Sequence, residues 1–148
     1  MKSNNNNDGR FLLSQEQIDL ENAFGTSPTL KRLFSVLVDH PIIGCQFDVD
    51  ASDDNSGMGV SMKWLDPKEQ IEEAFEFYPG IAALSEGYIP IGECLFGSGD
   101  PYFLKMKNEE PCIFRIPHEA VDENDHLYEN KVEFVSTLDF FLKIRKNK

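Results

Sequence analysis

The chain has 148 residues, 41% of them hydrophobic with 12 Phe, a size and composition that suit one domain with its own core and exclude a wholly disordered chain. Fourteen Lys and Arg stand against 26 Asp and Glu, for a net charge of −12 and a pI near 4.6. Such a balance argues against binding phosphate backbones or anionic lipid, both of which need basic surface.

Residues 1–10, with the tract Asn4 to Asn7, read as a disordered arm without a signal-peptide core, leaving 11–148 as a single domain. No apolar run approaches the length of a membrane span, so a cytoplasmic protein is expected. A first helix should start near Ser14, whose spacing to Gln17 fits a capping box. Ile18, Leu20 and Phe24 give it an apolar side, and Gly25 can end it. Ser27 as N-cap and Pro28 in the first turn open a second helix, with Leu30, Leu33, Phe34 and Leu37 at helical spacing and Pro41 as its stop.

From residue 43 the period becomes two. Ile43, Cys45, Phe47 and Val49 alternate, as do Met58, Val60, Met62 and Trp64, so a hairpin is predicted around the acidic loop 50–57. Asp66, Pro67 and Glu69 mark the start of a third helix over 67–78. Its Ile71, Ala74, Phe75 and Tyr78 form the predicted inner stripe. Glu69, Glu72, Glu73 and Glu76 form a second stripe about 200° away. Further strands are predicted at 88–91, 102–106, 111–116 and 132–135. Ser136 or Thr137 should cap a last helix that buries Leu138, Phe141 and Leu142. Helices at both ends of a run of strands define an α+β fold with a mainly antiparallel sheet.

The acidity is regional. Residues 44–100 hold 12 acids and two bases, Lys63 and Lys68, whereas the other 91 residues are nearly balanced at −2. Concentrated charge of one sign repels itself, yet it steers a partner of opposite sign. The carboxylate row is therefore either a solvated face or a surface for a basic protein, with Asp53, Asp54, Glu69, Glu72, Glu73 and Glu76 as the candidate contacts.

Other chemistries find less support. A calcium loop starting at Asp48 would need Gly at its sixth position and Glu at its twelfth, where the chain has Asp53 and Gly59. Cys45, Cys94 and Cys112 lack zinc or redox spacing and read as buried free thiols. His40, His118 and His126 are scattered, and only a Cys94–His118 pair brought together by folding would make a nucleophile. Gly97–Ser98–Gly99–Asp100–Pro101 is neither a phosphate loop nor a nucleophile elbow and reads as a turn.

Several short motifs nevertheless occur together in order: Trp64-Leu-Asp-Pro, Tyr78-Pro-Gly, Tyr88-Ile-Pro-Ile-Gly, Gly97-Ser-Gly-Asp-Pro-Tyr-Phe103, Arg115-Ile-Pro-His118 and Val135-Ser-Thr-Leu-Asp-Phe-Phe141. In this arrangement the chain resembles the SUKH superfamily, the family of the yeast cell-wall-assembly regulator and of many bacterial toxin-immunity proteins. The resemblance spans about residues 14–144. It implies a twisted sheet flanked by helices and a non-catalytic, cofactor-free role in binding a protein, with a basic toxin, often a nuclease, as the immunity partner. No binding to nucleic acid or membrane is expected, on the acidic charge and the lack of a long apolar run. Trp64, Gly97, Gly99, Asp100 and Tyr102 match positions that mark the fold, and their implied role is structural. Members often carry Leu-Pro and a later Asn-Gly in the N-terminal helices, where this chain has Ser27-Pro28 and His40-Pro41. A regulatory scaffold of the yeast type is the alternative function, and a Cys/His enzyme a third.

Overall fold

The computed structural model describes residues 9–96 and 99–144, together with the backbone of 146 and 147. Five helices and seven strands form the α+β fold that the periodicities predict. The helices are α1 (Ser14–Phe24), α2 (Pro28–Asp39), α3 (Pro67–Glu76), α4 (Gly80–Leu84) and α5 (Leu138–Ile144). The strands are β1 (Gln46–Val49), β2 (Val60–Trp64), β3 (Ile89–Cys94), β4 (Tyr102–Lys107), β5 (Glu110–Arg115), β6 (Glu133–Thr137) and β7 (Lys146–Asn147). They make one sheet in the order β6-β5-β4-β3-β2-β1-β7, antiparallel at every step. Sequential strands are neighbours from β1 to β6, the low-cost topology when connections are short.

Alternation along the central strands divides the core between the two sides of the sheet. Tyr102, Leu104 and Ile113 join Leu20, Leu33, Leu37, Phe47, Trp64 and Phe141 in the larger cluster, which α1, α2 and α5 cover. Phe103, Cys112 and Phe114 point the other way and pack with Ala83, Tyr88, Ile116 and Leu127. Both faces of β4 and β5 are therefore buried.

Local chemistry sets the helix ends, with two departures from expectation. The N-cap of α1 is Leu13 rather than Ser14, and its amide donates to the Glu16 carboxylate at 3.0 Å. A carboxylate is the better acceptor near a helix N-terminus, so the Ser14–Gln17 pairing does not form. Gly9 and Arg10, expected in the arm, belong to the fold. Arg10 bridges the backbone of Ile43 and forks onto Glu16 at 2.7 and 2.6 Å. Residues 1–8 lie outside the described residues. Ser27 caps α2 by accepting from the Leu30 amide, and Asp66 and Glu69 close a reciprocal capping box on α3. At the other end of the chain Thr137 Oγ1 accepts from the Phe140 amide.

The inner face of α3 is Pro67, Gln70 and Ala74, not the predicted stripe of Ile71, Ala74, Phe75 and Tyr78. Buried Gln70 donates from Nε2 to the Pro90 carbonyl at 2.7 Å, so an amide occupies a position that hydrophobicity alone would not choose. The buried face is thereby turned by roughly 60° about the helix axis relative to expectation. Phe75 is left 47% exposed, and Tyr78 falls beyond the helix. Between α3 and α4 the chain turns through a cis Tyr78–Pro79 bond, and Gly80 comes so close that a Cβ there would overlap the Glu73 carbonyl oxygen.

The β1–β2 loop, which contains a single turn of 3-10 helix at Ala51–Asp53, reaches across to the far margin of the sheet. There Asn55 donates both its backbone amide and its side-chain Nδ2 to the Val135 carbonyl of β6, each at 2.9 Å.

Candidate functional site

An acidic concavity of about 320 Å³ lies between α3 and the β2–β3 pair. Antiparallel register sets Lys63 on β2 opposite Glu93 on β3. Directly opposed side chains share a face. The capping box fixes Glu69 at the first turn of α3, and the Lys63 ammonium reaches Glu69 Oε2 at 3.0 Å and Glu93 Oε1 at 3.7 Å. Burial works against the Lys63 charge, but the hydrogen bond to Glu69 and the nearby carboxylates raise its pKa. Burial likewise opposes the Glu69 charge, and the Asp66 amide together with Lys63 holds its carboxyl below the ordinary value.

Glu72 and Glu73 follow one turn later, so that four carboxylates line the hollow while Lys63 pairs with two of them, Glu69 and Glu93. The Glu73 side chain is half-buried. Burial pushes its pKa up to about 7, against the pull of His118 and the Gly80 amide. One of its carboxylate oxygens, Oε2, is buried without a hydrogen-bond partner among the described residues. Leu65, exposed Phe77, Cys94 and Pro101 supply apolar wall. The arrangement can accept a cationic group at an apolar-walled hollow.

Glu69, Glu72 and Glu73 thus come together, while Glu76 faces outward at the end of α3 beside a second hollow. Asp53 and Asp54 belong elsewhere, in the β1–β2 loop. Asp54 must be withdrawn as a partner contact: it is 4% exposed, and its carboxylate pairs with the buried guanidinium of Arg115. Sequence reasoning missed Lys63 and Glu93. The available signal was that Lys63 is one of only two bases in an acidic stretch of 57 residues.

The motif positions have structural surroundings. Trp64 is fully buried 6.5 Å from the Phe141 ring. The Tyr102 hydroxyl accepts from Arg115 Nη2 at 3.2 Å, and burial raises its pKa to about 12. Gly99 takes φ +69°, as a turn requires, and Asp100 Oδ1 accepts from the His118 amide and pairs with its Nδ1 at 2.8 Å. Gly97 lies outside the described residues. The Cys94 thiol is buried beside the Phe96 carbonyl and the Tyr102 hydroxyl, while His118 is held by Asp100. All three cysteines are buried free thiols. Tyr88 and Tyr102 are core, and Phe96 is exposed.

No helix among the described residues is long and apolar enough to cross a membrane. Compared with family models, with curated proteins and with solved structures, the chain matches none.

Proposed function

We propose that this chain is a non-catalytic protein-binding domain of the immunity type, one that neutralises a basic toxin in the cytoplasm by stoichiometric, cofactor-free occlusion. The observation that carries this reading is the concavity lined by Glu69, Glu72, Glu73 and Glu93, in which Lys63 pairs only with Glu69 and Glu93 and one Glu73 oxygen is buried without a partner among the described residues. A Lys or Arg delivered to the rim by a partner would favour the ionised form of Glu73 that burial opposes. The surrounding net charge of −12 would steer such a partner over a distance. A nuclease has a basic substrate-binding surface, so an acidic occluder has a physical rationale. The SUKH resemblance supports the choice of a toxin as that partner.

Affinity capture of the tagged protein at low and high salt, with mass spectrometry, tests the reading. One basic protein lost at high salt is the expected result. Reversing Glu72 and Glu93 to Lys should slow association with that protein about tenfold and flatten its salt dependence. Unchanged kinetics would remove the concavity from the interface. The exposed side chains of Phe77, Leu95 and Phe96 favour a second reading, a regulatory scaffold that uses apolar contacts. Several salt-insensitive partners would support it.

A further inference from the structure

On its other side α3 forms a second hollow, of about 430 Å³, against α1. Pro67, Ile71 and Phe75 recur every fourth residue, so they run as one row down α3 over about 12 Å. Pro67 is buried, Ile71 half-buried and Phe75 47% exposed, with its ring 6.0 Å from that of Phe24 on α1. The floor is thus apolar and opens toward Phe75.

The rim is anionic. Asp19 stands on the α1 side, and Glu72 and Glu76 stand on the α3 side. Among the described residues none of these three carboxylates has an ion-pair partner, whereas Glu16 at the same rim is neutralised by Arg10. Lys68 is the one base in the lining.

We infer that this α1–α3 groove docks a basic amphipathic helix of a partner protein, an inference that rests on the protein-binding reading and adds a second contact to it. Apolar side chains of the incoming helix would cover Ile71 and Phe75 while its Lys or Arg residues meet Asp19, Glu72 and Glu76. Charge complementarity selects this occupant. A second copy of the chain would bring another −12 against the same rim. A helix also fits the geometry, because the row is two turns long and lies beside two helices with which a third can pack.

The test uses a fluorescein-labelled Leu/Lys amphipathic peptide, its Leu/Glu counterpart, and the full chain. Fluorescence polarisation should show binding of the Leu/Lys peptide alone, with amide chemical shifts centred on Asp19, Ile71 and Phe75. The double variant Asp19→Lys/Glu76→Lys should weaken that binding at least about tenfold, and Lys68→Glu should strengthen it about threefold. These three side chains are exposed, and a gain of affinity cannot come from a misfolded variant. Absence of binding, equal affinity across the variants, or self-association through α1 and α3 overturns the inference. Shifts centred instead on Glu73 and Glu93 overturn the groove and leave the proposed function standing. Groove binding without a captured host protein does the reverse.

Discussion

The Arg115 guanidinium and the Asp54 carboxylate meet at 3.1 Å across 61 residues of sequence, with side chains 2% and 0% exposed. Burial opposes the arginine's charge, but Tyr102, Asp54 and Glu133 together raise its pKa. Ser56 and the Gly59 carbonyl accept two further bonds at 2.6 and 2.8 Å, and Met58 Sδ a third at 3.6 Å. The acidic loop is thereby fastened to β5. Removing one member of a buried pair strands the other, at a cost of about 3–5 kcal/mol. Asp54→Ala should therefore lose that much stability in chemical denaturation. Asp53→Ala, at the neighbouring and less buried position, should stay within about 0.5 kcal/mol of the parent.

Glu73 gives stability a pH dependence of its own. Its folded pKa of about 7 lies above the ordinary glutamate value, so the folded state holds the proton more tightly than the unfolded state. The contribution is most favourable below the unfolded pKa and is lost as pH rises toward 7. Glu73→Gln keeps an acceptor for the Gly80 amide and removes the buried charge. With a discount for partial exposure, the variant should gain about 1 kcal/mol over the parent at pH 8. The two should melt together at pH 4. A parent as stable as the variant at pH 8 would refute the assignment.

Gly80 is required by proximity, since an added Cβ meets the backbone of Glu73 rather than a side chain that could move aside. Gly80→Ala should cost at least about 2 kcal/mol and lower the Tm. Gly25→Ala is the informative comparison, because that position has open space and only a positive φ. With φ +74° and ψ 174° it occupies a region that glycine alone adopts readily, so its cost, about 1–3 kcal/mol, should be backbone strain without any clash.

The β4–β5 hairpin turns on Asn108 and Glu109, with φ of 53° and 64°. Two consecutive left-handed residues match the tight turn in which Asn-Gly is preferred. Glu109→Gly should therefore stabilise the protein by about 0.5–1 kcal/mol, read as a rise in Tm.

Much of this fold was legible in the sequence because the signals were local. Ser27, Asp66 and Thr137 each cap a helix through a bond to an amide three residues on, and the alternation in β1 and β2 needs only one buried face. The inner face of α3 was misread because the Gln70 Nε2 donates to a carbonyl twenty residues away, which no local pattern encodes. Asp54 looked like one more surface acid for the same reason: its partner is Arg115 on β5. The carboxylates of α3 were visible as a row. That Lys63 and Glu93 join them depends on strand register, which the sequence leaves implicit. The short helix α4 was missed, its five residues carrying too little periodicity to register.

The two hydrogen bonds from Asn55 to the Val135 carbonyl bear on how the protein behaves when crowded. An antiparallel sheet offers open strands at its two margins as templates for the strand of a neighbouring molecule. Here β7 lies along one margin, and the β1–β2 loop occupies a β6 carbonyl at the other with two donors from one residue. Asn55→Ala removes one of those donors and loosens the guard, so it should hasten fibril formation in concentrated solution more than it lowers the melting temperature. The loop that carries Asp50, Asp53 and Asp54 is also a barrier to polymerisation.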